Sequence, residues 1–206
     1  MLTAGSRRSH CVPDGPAARG FTLVELVVTL TLLGLLLALG LPSFTTWIAN
    51  SQVRTVAESL QDGIRVTQAE AVRRNRQVVL SFTNATPALN AAAAAGGKNW
   101  SVQTVARLDE AAEFIRGGLM ADVASSVAIT GNPASSAICF NSSGRLATNA
   151  SATGVPGAAC AAAATAFTVD KTNSDRPLRV NVAVGGQVRM CDPNRPALST
   201  TSPDGC

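Results

Sequence analysis

Between Phe21 and Leu41 the only polar side chains are Thr22, Glu25, Thr29 and Thr31. Roughly 20 residues at ~1.5 Å rise match a bilayer core of ~30 Å, so the sequence predicts a membrane-spanning helix over 21–41. Glu25 is the exception inside it. A carboxylate one turn into an apolar segment costs on the order of 3 kcal/mol unless a cation pairs with it, which marks Glu25 as a functional candidate. An ordinary signal peptide would offer a small-x-small site such as Ala38 to Gly40, but with a shorter apolar core and no need of Glu25. A plain anchor would tolerate Glu25 poorly. The pair Arg7-Arg8 lacks the surroundings of a twin-arginine signal, and no lipoprotein-type apolar run precedes Cys11.

The run G-F-T-L-V-E, from Gly20 to Glu25, resembles the prepilin peptidase signal of type IV pilins and pseudopilins. The resemblance implies cleavage after Gly20, methylation of Phe21 as the first mature residue, and a partner for Glu25 in the N-terminal amine of a neighbouring subunit. Two buried opposite charges in lipid are tolerable as a pair, so physics agrees with that role. Pro42 falls where such pilins carry a helix-loosening proline.

Removing residues 1–20 takes away Arg7, Arg8, Arg19 and Asp14, a net +2, so the formal +4 of the chain falls to +2. A strong basic-protein argument for nucleic acid is then not available. The three arginines act instead as a positive-inside flank that keeps the leader cytoplasmic and sends the C-terminal side outward. Cys11 leaves with the leader, and the even set Cys139, Cys160, Cys191 and Cys206 remains in a compartment that permits disulfides. Of three connectivities, Cys139 with Cys160 and Cys191 with Cys206 is expected because each closes a local loop. Metal binding is the rival reading, but none of the four stands in a C-x-x-C pair, and His10, the only histidine, is lost with the leader. The same loss removes any Ser-His or Cys-His catalytic arrangement. No enzyme, cofactor or small-molecule substrate is expected.

After Pro42 the pattern becomes one-sided. Ile48, Val53, Val56, Leu60, Ile64 and Ala71 recur at helical spacing, while Arg54 with Glu58, Asp62 with Arg65, and Glu70 with Arg73 or Arg74 form charge pairs on the remaining surface. The sequence predicts an amphipathic continuation of the same helix over 42–75, about 55 residues and roughly 80 Å in all. Gly63 reads as a weak point costing up to ~1 kcal/mol. Beyond Asn75 the period becomes two, giving strands at Val78 to Phe82 and Trp100 to Thr104, separated by a small, low-complexity loop. In 108–122 the run D-E-A-A-E-F offers a short helix that Gly117-Gly118 stops. Further strands are expected around Ser126 to Thr130, Ala137 to Asn141 and Ala166 to Asp170. The last hairpin alternates Leu178, Val180, Val182 and Val184, then Val188 and Met190. A three-residue loop, Gly185 to Gln187, would pair Val182 with Met190 and gather the apolar residues on one face. Arg179, Asn181 and Arg189 then share the opposite face with Cys191, across which a bond to Cys206 would strap the tail.

The segments A-E-A-V-R-R-N-R-Q-V-V-L, I-C-F-N-S-S-G-R and R-P-L-R-V-N-V-A-V-G-G-Q-V-R-M-C-D-P are similar to the GspH/FimT family of minor pilins and pseudopilins, over residues 20 to about 194. The resemblance implies an α+β fold: a leader over 1–20, a transmembrane helix segment over 21–41, its amphipathic continuation over 42–75, and an antiparallel β-rich domain over 76–206 against which the helix packs. It implies a structural subunit of either a type IV pilus or a type II secretion pseudopilus. Its expected partners are other pilin subunits, prepilin peptidase and the inner membrane, crossed once with the C-terminal domain periplasmic. DNA is the alternative partner, since one branch of the family carries a glycine-arginine-x-arginine run in the final hairpin. Here Gly186, Gln187, Val188 and Arg189 occupy it, so the first arginine is replaced; Arg176, Arg179 and Arg195 are the cations that would compensate, in salt-dependent contacts to phosphate. The other reading leaves them as solvated arginines.

Overall fold

The computed structural model describes residues 20–107, 109–124, 126–148, 154–197, 200 and 202–206; the expected leader up to residue 19 lies outside the described residues. The chain divides into two compact units, residues 1–42 and 43–206. Helix α1 (Leu23–Arg73) contributes its first part to one and the rest to the other. In the first unit, side chains from Phe21 to Leu39 are all exposed although nearly all are apolar. That segment is long and apolar enough to cross a membrane.

In the second unit α1 is one-sided. Val53, Val56, Ala57, Leu60, Ile64 and Ala71 are buried at three-, four- and seven-residue spacing. Ile48, expected on the same face, is instead 46% exposed, while its neighbour Ala49 is buried and the main core cluster begins at Val53. The helix ends at a left-handed Asn75 (φ 48°), where the Arg76 amide donates to Ala71 O (3.2 Å) and the Asn75 amide to Val72 O (3.2 Å). This is the Schellman arrangement that satisfies the last carbonyls.

Among the described residues eight strands follow: β1 (Val78–Thr83), β2 (Asn99–Thr104), β3 (Phe114–Gly118), β4 (Val127–Asn132), β5 (Ala137–Phe140), β6 (Thr165–Lys171), β7 (Leu178–Val182) and β8 (Val188–Cys191), with a short α2 (Met120–Ala124) between β3 and β4. They form two antiparallel four-stranded sheets, ordered β3-β2-β1-β5 and β4-β6-β7-β8. Both contribute to one core with the helix face: Leu80, Phe82, Trp100 and Phe140 from the first, Ile129, Phe167, Val169 and Val180 from the second. The rings of Phe82 and Phe167, 5.0 Å apart, join the sheets. On its other face β1 buries Val79 in a smaller cluster with Val105, Ala137, Val155 and the Cys139–Cys160 disulfide, which explains why β1 is buried along its whole length.

Four local expectations change. The run D-E-A-A-E-F is not helical: its Phe114 begins β3, whose edge pairing with β2 supplies the hydrogen bonds that a helix would have made. Asp62 pairs with Arg116 of β3 (3.2 Å) rather than with Arg65. Gly63 is a packing requirement, since a Cβ there would lie 2.9 Å from the Trp100 ring, and a Cβ on Gly118 would lie 2.3 Å from the same ring. The Trp100 indole N–H donates to Ser59 Oγ (3.2 Å), fixing the ring against the helix. Finally, the last hairpin pairs Val182 with Val188 and Val180 with Met190. Its loop is Val184 to Gly186, closed by Ala183 N–H to Gln187 O (2.9 Å) and Gly186 N–H to Ala183 O (2.8 Å). The third loop position requires positive φ, which Gly186 adopts at 90°, whereas the expected register would have placed Gln187 there. The two-residue shift keeps the apolar residues on one face.

Candidate functional site

At the start of α1, Thr22 acts as the N-cap. Its Oγ1 accepts from the Glu25 amide (3.2 Å), and its carbonyl accepts the first helical bond from Leu26 (3.1 Å). The spacing T-x-x-E is that of a capping box, a signal legible in the sequence alone. Glu25 therefore lies in the first turn, where amide dipoles favour a negative charge. Its side chain is exposed, and among the described residues no cation pairs with it. Phe21, just before the cap, is 82% exposed, and among the described residues no atom crowds Gly20. The geometry is a capped, accessible helix start bearing one carboxylate amid apolar surface. Pro42 stands at the boundary between the units.

At the far end of the helix a second glutamate has its partners in place. Glu70 accepts from Arg73 (2.6 Å) and Arg74 (2.7 Å), and Arg74 continues to Glu113 (2.5 Å). Hydrogen bonds from Arg73 and then Arg74 hold the Glu70 carboxyl below its usual range, against the opposing effect of burial. Beside them, buried Arg76 donates to Glu110 (2.6 Å) and to Val105 O (2.5 Å), pinning the segment before β3 to the helix end.

The basic candidates fall on β7, β8 and their flanks. Arg179 and Asn181 stand opposite Cys191 and Arg189 on one face. Cys191 is bonded to Cys206, and the closed loop folds back so that Asp192 bridges Gly205. Arg189 donates to Gly205 O (2.7 Å) and more weakly to Pro203 O (3.4 Å). Arg195 pairs with Asp204 (3.2 Å) and Asp192 (3.7 Å). Arg179 donates to Thr168 Oγ1 (3.3 Å) across the sheet, while Arg176 and Gln187 are exposed. The structure thus gathers Arg179 and Arg189 but engages Arg189 and Arg195 with the C-terminal loop. The I-C-F-N-S-S-G-R segment has a different task. Asn141 Oδ1 accepts from the Ser143 and Arg145 amides (both 3.0 Å), and the turn presents Gly144 O to Gln68 of the helix (2.8 Å). Leu146 N–H reaches Val184 O (3.0 Å), so this turn links the end of the first sheet to the last hairpin. Among the described residues no group of His, Cys, Asp and Glu could hold a metal ion.

A family model described as type II transport protein GspH matches residues 56–186, and one described as the prokaryotic N-terminal methylation motif matches residues 16–41. A fimbrial protein of Moraxella nonliquefaciens is 38% identical over 61 residues, covering 30% of this chain and 36% of that protein. The type IV major alpha-pilin of Moraxella bovis is 34% identical over 70 residues, covering 34% and 43%. The chain thus spans under half the length of these relatives. Among solved structures, the type IV minor pilin FimU of Pseudomonas aeruginosa superposes with a TM-score of 0.48 at 15% identity, over 76% of this chain and 96% of that one. The minor pseudopilin EpsH from the type 2 secretion system of Vibrio cholerae superposes at 0.45 and 11% identity, over 70% and 99%.

Proposed function

This chain belongs to the GspH family of type II transport proteins, and from that premise we propose that it works as a minor pilin or pseudopilin, a non-enzymatic subunit of a type IV pilus or a type II secretion pseudopilus. Prepilin peptidase cuts after Gly20 and Phe21 receives the N-methyl group. Residues 21–41 cross the inner membrane once, 42–75 continue as the amphipathic helix with Pro42 loosening its start, and 76–206 form the periplasmic domain. The observation that carries this reading is Glu25: a capped, exposed carboxylate among exposed apolar side chains, without a cation among the described residues. A charge so placed is stable in lipid only when a partner arrives, and the free amine of another processed subunit supplies one.

Intact mass and N-terminal sequencing of the membrane-extracted protein, made with and without the peptidase, test the processing. A chain starting at methylated Phe21 only when the peptidase is present supports the reading; a start near residue 41, or an uncut chain in both, overturns it. Glu25→Ala should still be cut but incorporate poorly into filaments, and normal incorporation would remove the pairing argument.

A further inference from the structure

The second unit opens with an aromatic face that its core does not use. Phe44, Trp47 and Ile48 share one side of α1 and are 65%, 67% and 46% exposed, and the Phe44 and Trp47 rings meet edge-on at 6.4 Å. Trp47 also walls a cleft of about 580 Å³ that Asn50, Arg54, Arg176 and Asp204 help to line. Asn50 draws the β6–β7 turn to this place: its Oδ1 accepts from the amides of Asp175 (3.2 Å) and Arg176 (3.3 Å), and its amide donates to Asp175 (2.5 Å). Most charges around the cleft are matched, Arg54 by Glu58 (2.8 Å) and the acids Asp192 and Asp204 by Arg195. The exposed guanidinium of Arg176 has no ion pair or hydrogen bond among the described residues.

Chain length limits where this face can lie. Trp47 follows Leu41 by six residues, so whatever the geometry at Pro42 it stays within roughly 20 Å of the end of the apolar run, and about 9 Å if the path is helical. Beyond the hydrocarbon core lies a headgroup layer of roughly 5–7 Å on each side, where tryptophan concentrates because its ring is apolar and its N–H is polar. We propose that Phe44, Trp47 and Ile48 seat the globular unit on the phospholipid headgroup layer, with Arg176 turned to the phosphates. The proposal rests on reading 21–41 as a membrane span. A second copy of the chain is the rival occupant. Lipid is favoured because the face resumes the apolar run only three residues after Leu41, and because Arg176 brings an unmatched positive charge to a surface rich in phosphate.

The test uses the full chain in vesicles of phosphatidylglycerol and phosphatidylcholine whose acyl chains carry bromine close to the headgroup. Trp100 is 2% exposed and serves as the constant background. The expected result is strong lipid quenching of tryptophan emission, most of it lost in Trp47→Phe, and weaker quenching for Arg176→Gln in phosphatidylglycerol vesicles but not in pure phosphatidylcholine. Equal quenching of wild type and Trp47→Phe in a protein that resists alkaline extraction, with Trp47 open to aqueous iodide, overturns the docking while leaving the span intact. A Trp47 shielded from both bromine and iodide, in a manner that varies with protein-to-lipid ratio, assigns the face to a second copy and also overturns it. A chain released by the alkaline wash fails at the span, and the docking fails with it.

Discussion

One helix meets two different demands in the two units it serves. Around Gly34 and Gly40 no atom of the described residues outside the helix comes within 4 Å of where a side chain would begin, and large apolar residues such as Leu32, Leu36 and Leu39 are more than half exposed. Around Gly63 the same backbone is packed so tightly that a single added carbon would press on the Trp100 ring, and Leu60 and Ile64 have no exposure at all. The first stretch is apolar on every side and awaits lipid or other helices; the second has an apolar stripe already satisfied within its own chain. Hydrophobicity alone does not distinguish a finished core from an unfinished one. Periodicity does.

Matched glycine substitutions break the comparison most sharply. Gly63→Leu should destabilise the globular unit by about 3 kcal/mol, because side-chain atoms have no space between the helix and Trp100 and overpacking is not relieved cheaply. Gly34→Leu, in the same helix, should leave the unfolding of that unit unchanged. Chemical denaturation in detergent, followed by Trp100 fluorescence, measures both. A tolerated Gly63→Leu would mean that the helix does not bind the sheet through this contact.

The comparison also shows why some features were legible beforehand. The apolar run, the one-sided stripe from Val53 to Ala71 and the strands with period-two alternation announce themselves by pattern, since burial acts on every member alike. Strand β3 did not, because Phe114 to Gly118 is an edge strand whose small residues exist to receive neighbours: Gly117 meets Pro87 and Gly118 meets Trp100. Nor did the hairpin register, which depends on a single positive φ at Gly186 rather than on hydrophobicity. At the candidate site, Gly20, Phe21 and Glu25 are singled out by the resemblance of G-F-T-L-V-E to the prepilin peptidase signal. The engagement of Arg189 and Arg195 could not be read beforehand, because it depends on where a disulfide-closed C-terminal loop folds back.

A smaller effect should separate the two ends of α1. The start depends on one side chain, Thr22, while the end is closed by backbone geometry at Asn75. Thr22→Ala should weaken the first turn by about 1 kcal/mol, roughly fivefold faster amide exchange at Glu25 and Leu26, with no change in unfolding of the globular unit. Thr22→Asn, which restores an acceptor, should return the exchange to near the wild-type rate. Unchanged exchange in Thr22→Ala would show that the cap adds nothing to the helix start.

The smallest effect concerns the two glutamates. Glu70 has Arg73 and Arg74 beside it, and their hydrogen bonds, Arg73 foremost, lower its pKa below the usual 4.5 while raising those of both arginines. A carboxyl whose pKa is depressed on folding stabilises the fold above its unfolded value and loses that contribution as pH falls through the folded value. Both arginines stay protonated throughout, so the change belongs to Glu70. Wild type should therefore be slightly more stable than Glu70→Gln at neutral pH, and the two denaturation midpoints should converge only as the pH is taken well below 4.5. The gap stays small because Arg73 is largely exposed and water screens the pair. A gap that persists into acid would mean that Glu70 acts through packing or neutral hydrogen bonds rather than through its charge. At Glu25 the same carboxylate has no cation of its own among the described residues, and charge there should matter for joining other subunits rather than for folding this one.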